Sequence, residues 1–570
     1  MRWTILETDS DATNRLSREL NLSPLVARLL VERGCAAPEQ AQRFLNPCLS
    51  DLHDPFLMRD MALAVSRLRR AIGRQEKILI YGDYDVDGTM AVVVLLTALT
   101  ALGARVESYI PNRLTDGYGM REPVIESAAA AGVRVIVSVD TGIREHDVLR
   151  RMAALGIDGI VTDHHLPGDH LPEACAILNP RRPDCGYPEK NLAGVGVAFK
   201  LAQALMGPAL SEAALRSYLK VVAIGSIADI VPLTGENRVI AQTGLAGLTQ
   251  SAMAAPGRQA GSAGISALLE AAGLEGRAVS AGDVAFRIAP RLNAAGRMEN
   301  ARQVIDLFTL RSDREVQAIA ACLEGLNHDR QQAEFEIVRQ IKERMKLAPE
   351  KTERYSLVFA GEGWHRGVIG IVAQRVVDLF YRPALVLSLE DGIAHGSARS
   401  IRGFHLLDAL TRCGRLFSRF GGHAQAAGFS LPASRIQQLE DEFELCARSV
   451  LSPSDLIPQL RVDAAVEMSD LSREFYASLK QLEPFGCGNP TPVFTAEANV
   501  AIPPRIIKEK HLKLCVTSGG RRFDAMGWGM AGRAAELEGV RRVALAFSLS
   551  ENTFQGSTDL QLVLKDLRPA

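Results

Sequence analysis

Three carboxylates, Asp83, Asp85 and Asp87, stand at alternate positions between Gly82 and Gly88. In a poorly hydrated cleft such a row repels itself, and hard divalent cations with oxygen ligands are the usual compensation. A solvated acidic turn is the plainer reading of this run taken alone. An EF-hand loop needs an acid at its twelfth position. Counted from Asp83, Asp85 or Asp87 that position holds Val94, Leu96 or Ala98, so the EF-hand reading fails. Further acids close other apolar runs: Asp140 after residues 136–139, Asp163 with His164 and His165 after 160–162, and Asp229 after 224–228. A lone Asp in such a place is usually a cap or turn former. Four such points, three of them at strand ends that could converge, are hard to explain that way. Mixed carboxylate and imidazole donors suit Mn²⁺ and leave Mg²⁺ open. Two such ions about 3.5–4 Å apart polarise a phosphate and activate a water for in-line attack. The residues alone therefore reach metal-assisted phosphoester hydrolysis.

The elements that must position these groups follow from periodicity. Residues 77–81 are a short β-branched run ending at Gly82, a buried strand running into a loop, and 89–102 is apolar nearly all round, as a helix packed on a sheet is. The unit repeats, with strands at 105–110, 133–139 and 159–162 and helices at 122–131 and 146–155. Strands alternating with helices predict βαβ crossovers and a mostly parallel sheet, with ligands at the carboxyl ends of its strands. A charged helical pattern from 313 to 346 predicts a connecting helix. After it a second, smaller α/β domain is read from strands 356–360, 384–389 and 393–397 and helix 368–379. From 459 onward, β-type runs at 493–500, 512–516 and 542–549 predict a small barrel. The predicted layout is 1–55 helical, 56–310 first α/β domain, 311–348 connecting helix, 349–452 second α/β domain and 453–570 barrel.

At 570 residues the chain is too long for one core. An apolar fraction of 47% with 23% charged residues excludes disorder as the main state. The net charge of −1 excludes a uniformly basic nucleic-acid coat but leaves room for local positive tracks. No signal-peptide pattern opens the sequence and no apolar run reaches membrane-span length. Nine scattered cysteines make no C-x-x-C pair, so neither a zinc ribbon nor a disulfide framework is indicated. The reading is a reduced, cytoplasmic protein without a membrane segment.

Asp163-His164-His165 downstream of the 82–88 acidic run resembles the DHH phosphoesterase superfamily and, within it, the RecJ family of single-strand-specific exonucleases. The likeness runs from about residue 60 to the C-terminus. It includes the runs 109–113, 116–119, 290–297, 326–331, 364–370, 396–400, 421–428 and 482–490. It implies a DHH domain, a DHHA1-type domain and an OB-type barrel, and a processive 5′-to-3′ exonuclease that releases 5′-mononucleotides from single-stranded DNA in repair and recombination. Carried over residue by residue, the ligands of two Mn²⁺ or Mg²⁺ ions would be Asp85, Asp87, Asp140, His164 and Asp229, with Asp87 and Asp140 nearest to both. Asp83, Asp163 and His165 would orient ligands, nucleophile or phosphate; a purely structural His165 stays open. A pocket for the 5′-terminal phosphate would draw on Arg113, Arg291 or Arg297, Ser397, Arg399 and His423. Tyr118 would stack on a terminal base or pack within its loop. The resemblance also implies a monomer, supplied with substrate by a RecQ-type helicase and a single-strand-binding protein.

Local basic stretches give a strand path to weigh. Arg399, Arg402, Arg412, Arg415 and Arg419 interleave with Phe404, Phe417 and Phe420, and seven basic or histidine residues between 505 and 522 face the single acid Glu509. Cations neutralise phosphates and aromatics stack unpaired bases. Phe417 and Phe420, three apart, read as core, and the Lys-rich run reads equally as a solvated strand edge. Two other functions remain: a phosphodiesterase for short oligonucleotides or cyclic dinucleotides, whose relatives usually lack the barrel, and a non-catalytic scaffold, which the intact acids argue against.

Overall fold

The computed structural model describes residues 1–113, 119–254, 263–554 and 557–570. The chain divides into two units: residues 54–229 with 244–458, and residues 1–53 with 230–243 and 459–570.

The larger unit is built on a five-stranded sheet in the order Arg105–Tyr109, Lys77–Tyr81, Val133–Val139, Asp158–Thr162, Ala176–Leu178. Every neighbouring pair is parallel, as the βαβ pattern requires. Its three inner strands are apolar and largely buried. The order reverses beside the Lys77–Tyr81 strand, so the loops after it and after Val133–Val139 open a crevice at the switch point. The helix after the first strand, Val86–Ala101, starts at Val86, three residues before its apolar pattern predicts, because Asp85 caps it by accepting the Gly88 N–H.

A 35-residue helix, Asp313–Leu347, is capped by Ser312. Its first half packs on the helices Ala263–Ala271, Ala289–Met298 and Arg302–Thr309. Ile337, Ile341 and Met345 in its second half enter the core of the next domain. That domain has a mixed sheet in the order Arg419–Gly422, Ala426–Pro432, Ile393–Arg399, Ala384–Glu390, Leu357–Glu362, with only the last pair parallel. The helix Ile369–Phe380 covers it. Phe404 is buried edge-on against Phe443, and Phe417 packs on Phe429, so both are core. Phe420 also meets Phe417 but stays 37% exposed.

In the smaller unit, strands Phe494–Ile507, His511–Ser518 and Arg521–Gly527 pair antiparallel in sequence, and Arg542–Phe554 pairs with both Ser557–Pro569 and the first strand. Arg521–Gly527 and Ser557–Pro569 pair parallel, which closes five strands into a barrel of OB type. The helices read in the first 55 residues are present, Ser10–Glu19, Pro24–Glu32 and Pro38–Leu45, but they are not a domain of their own. Strand Arg2–Ile5 pairs with Gln459–Val462, and Leu16, Leu29 and Phe44 share one core with Phe494 and Phe547. Among the described residues no helix is long and apolar enough to cross a membrane, and all nine cysteines carry free thiols.

Candidate metal centre and anion pocket

The strand ends bring the sequence-singled acids together. Asp87, in the first turn of the Val86–Ala101 helix, is fully buried and accepts the Gly194 and Val195 N–H groups at 2.6 and 2.8 Å. Those amides begin the Gly194–Met206 helix, whose N-terminus favours a carboxylate. Asp140 follows its strand in the left-handed region, φ 59°, a conformation a non-glycine residue holds only where its surroundings impose it. A Cβ at Gly194 would lie 2.7 Å from the Asp140 side chain, so only glycine lets the helix start pass so close. His164 Nε2 lies 3.2 Å from Asp140 Oδ1 and 3.7 Å from both Asp87 Oδ2 and Asp229 Oδ2. Asp229 caps the C-terminus of helix Glu212–Ala228.

Three sets of donor atoms converge within 4.8 Å: Asp83 with Asp85 and Asp140, Asp87 with His164 and Asp229, and Asp140 with His164 and His165. Asp140 and His164 each belong to two sets, as a shared pair of ions needs. Asp83, expected only to orient its neighbours, stands with the ligand candidates. Buried Asp140 Oδ1 accepts no hydrogen bond, an orphan that a cation would satisfy.

The electrostatics agree. Burial and then repulsion from Asp85 push Asp83 up to about 8 and Asp87 up to about 7. Burial, then Asp87 and Asp85, push Asp229 up to about 9, and Asp140 is raised well above the carboxylate range by burial and Asp87. Burial lowers His164 to about 3, so its imidazole is neutral and can ligate. Buried, self-repelling carboxylates around a neutral imidazole fit divalent ions of the Mn²⁺ or Mg²⁺ kind.

Asp163 behaves differently. Its Oδ1 accepts from the His164 and His165 amides at 2.7 and 3.1 Å and from His165 Nδ1 at 2.7 Å, while Oδ2 accepts from the Ile143 amide. Burial pushes it upward, but these bonds win and hold it below the usual range. The same pair outweighs burial at His165 and raises the imidazole.

Beside the acids lies a group of arginines. Burial, then the charges of Arg113, Arg330 and Arg399, lower Arg297 to about 9, and Asp85 pulls it upward. Arg399 is lowered by burial and Arg113, and its Nη1 reaches Ser397 Oγ at 3.2 Å. A Cβ at Gly370, in the first turn of helix Ile369–Phe380, would lie 3.1 Å from Ser397 Oγ and 3.3 Å from Arg399 Nη2. Arginine forks, a hydroxyl and a helix start together suit phosphate oxygens. Arg113 also stacks over the Tyr84 ring at 5.1 Å. Exposed His423 is lowered by burial of its ring and by the charge of Arg399. Arg291 is committed elsewhere, to Glu324 at 2.5 Å and the Arg287 carbonyl at 2.6 Å, so Arg297 is the alternative the geometry brings to the pocket. Tyr118 lies outside the described residues. Tyr84, Gly194 and Val195 were missed by sequence reasoning; the glycine spacing of Gly194-Val195-Gly196 is the one signal that could have found the last two.

A doubly wound domain with this acid–histidine centre, followed by a mixed-sheet domain and an OB-type barrel, defines a three-part DHH phosphoesterase architecture. Residues 77–226 match the DHH family N-terminal domain, 354–449 the DHHA1 domain and 462–566 the RecJ OB domain. The single-stranded-DNA-specific exonuclease RecJ of Bacillus subtilis strain 168 is 38% identical, covering 99% of this chain and 70% of that protein. The protein of that name from Salmonella typhimurium is 34% identical over 98% of both. The crystal structure of RecJ from Thermus thermophilus in complex with Mn²⁺ has a TM-score of 0.84 at 29% identity, covering 100% of this chain and 79% of that one. Its complex with Mg²⁺ has a TM-score of 0.78 at 28% identity, covering 100% and 78%. The chain belongs to the RecJ family.

Proposed function

We propose that this chain is a divalent-metal-dependent exonuclease that degrades single-stranded DNA processively from its 5′ end to 5′-mononucleotides. The observation that carries this is the adjacency of two sites of opposite charge. Arg297 responds both to Arg399 in the arginine group and to Asp85 in the acid cluster. A terminal phosphate held by Arg113, Arg297, Ser397 and Arg399 would set the first phosphodiester over the acids, which counts off one nucleotide per cut.

Asp83, Asp85, Asp87, Asp140, His164 and Asp229 would hold the metals, which when bound polarise the phosphate and activate water. Gly194 and Val195 fix the Asp87 carboxylate through their amides, and Asp163 orients His165 and favours its protonated form. Protonated His165 then offers positive charge and a proton to a phosphate oxygen or to the departing 3′ oxygen. The barrel carries exposed Arg505, Lys508, Lys510, Arg521 and Arg522, a surface that holds the trailing strand through its phosphates.

The free thiols and the absence of a membrane-crossing helix among the described residues support a cytoplasmic site of action. An enzyme restricted to unpaired DNA needs a supplier of it, for which family resemblance points to a RecQ-type helicase and a single-strand-binding protein; the same resemblance supports a monomer. Strands blocked at one end test the polarity. A 5′ block must stop digestion, a 3′ block must not, and blunt duplex must resist. Stopping by the 3′ block alone would overturn the assignment of the arginine pocket.

A further inference from the structure

His165 stands at the start of a long connection. Strand Asp158–Thr162 ends three residues before it, and the next strand, Ala176–Leu178, begins eleven residues after it. Such a segment has no ladder of its own, so the place of each residue depends on individual bonds. The His165 side chain is 44% exposed, and Asp163 holds its Nδ1 at 2.7 Å. The His165 amide donates to the same carboxylate at 3.1 Å. Its carbonyl is held by a residue outside the metal centre: Asn179 Nδ2 donates to it at 2.8 Å.

Asn179 directly follows strand Ala176–Leu178 and is fully buried. Leu178 is in register with Thr162, and its carbonyl accepts the Asp163 amide at 3.0 Å, so the edge strand delivers Asn179 to the 163–165 turn. The Asn179 Oδ1 accepts the Arg181 N–H at 2.8 Å. Asn or Asp commonly forms such a turn after a strand, and Asp would serve it equally. Only the amide carries N–H groups that can donate to a carbonyl. The two bonds also fix which end of the amide is which, because Oδ1 faces a donor and Nδ2 an acceptor. A buried amide with one end in the turn and the other on His165 does more than the turn requires.

We infer that Asn179 is a positioning residue for the cleavage reaction: through the His165 carbonyl it fixes the backbone from which the imidazole reaches the crevice. With the amide on Asp163 and the carbonyl on Asn179, both main-chain groups of His165 are anchored, and its Nδ1 is held 4.0 Å from Asp140 Oδ1. A proton donor must lie within hydrogen-bond reach of the oxygen it serves, and a displacement of about 1 Å costs about a hundredfold in rate. The inference rests on the exonuclease reading above and on the role given there to His165.

The test compares wild type with Asn179→Asp, which keeps the turn and removes the donor, and with Asn179→Ser, a neutral second case should the buried carboxylate unfold the protein. His165→Ala and the two double variants complete the cycle. Single-turnover digestion of a 5′-phosphorylated single strand with saturating Mn²⁺ keeps even the loss of about 10⁴-fold from one missing proton donor measurable. Each Asn179 variant should slow cleavage about a hundredfold, with strand affinity and calorimetric Mn²⁺ affinity within about twofold of wild type. In the His165→Ala background the same substitutions should cost less than about twofold, because the group they position is gone. Equal losses in both backgrounds, an unchanged rate in both Asn179 variants, or a matching loss of Mn²⁺ affinity overturns the inference. An inactive wild type refutes the nuclease reading itself.

Discussion

The acid cluster makes metal binding a proton-releasing reaction, and the number of protons can be worked out. Asp83 at about 8, Asp87 at about 7 and Asp229 at about 9 are together protonated by about two to two and a half equivalents at neutral pH in the metal-free protein, and Asp140, raised well above the carboxylate range, adds to them. Cations need these groups ionised. Titrating Mn²⁺ near pH 7 should therefore release at least about two protons, and affinity should rise at least about a hundredfold per pH unit near neutrality. Stability carries the opposite sign without metal. Between about pH 6.5 and 9 the folded protein holds more protons than the unfolded chain, through the raised carboxylates and the raised His165, so metal-free stability falls as pH rises. Saturating Mn²⁺ should reverse that trend, with the gain in Tm larger at pH 8.5 than at 6.5. Calorimetry in two buffers of different ionisation enthalpy counts the protons, and Asp229→Asn should remove about one of them. Affinity independent of pH, with no proton uptake by the buffer, would refute the picture of a mutually repelling, protonated cluster.

Other perturbations follow from single contacts. Gly194→Ala should abolish cleavage while the protein stays folded, because the new Cβ meets Asp140 at 2.7 Å and displaces the amide that holds Asp87; activity with Tm beside it checks this. Arg399→Ala should erase the preference for 5′-phosphorylated over 5′-hydroxyl strands, about ten- to a hundredfold in kcat/KM, by removing one charge-assisted fork. Lys508→Ala with Lys510→Ala on the barrel should lower the slope of log affinity against log salt by about 1.4, at about 0.7 per phosphate contact on a single strand.

The parts of the site that local sequence could announce were announced. Parallel strands are β-branched runs that stop at the crevice, so Asp85, Asp140 and Asp163 marked their own positions, and a polar helical stretch of more than thirty residues between two α/β patterns had to connect them. What escaped depends on partners distant in the chain. Asp87 owes its fixed carboxylate to amides 107 residues on, and no local pattern reports that. The left-handed backbone of Asp140 follows from strand packing and not from its residue type. Arg291 resembled a phosphate ligand until Glu324, on another helix, engaged it. The first helices are short and amphipathic, and the surface that completes them, around Phe494 and Phe547, arrives some 450 residues later.

Product analysis bears most directly on the metal-dependent exonuclease assignment. An internally labelled, 5′-phosphorylated single strand is incubated with Mn²⁺ and either wild-type protein or Asp140→Asn, asparagine being the side chain best suited to the left-handed backbone there. Wild type should release labelled 5′-mononucleotides only when the metal is present, and Asp140→Asn should release none while retaining a wild-type or higher metal-free Tm. Mononucleotide release by Asp140→Asn at the wild-type rate, or by wild type under chelation, would contradict it.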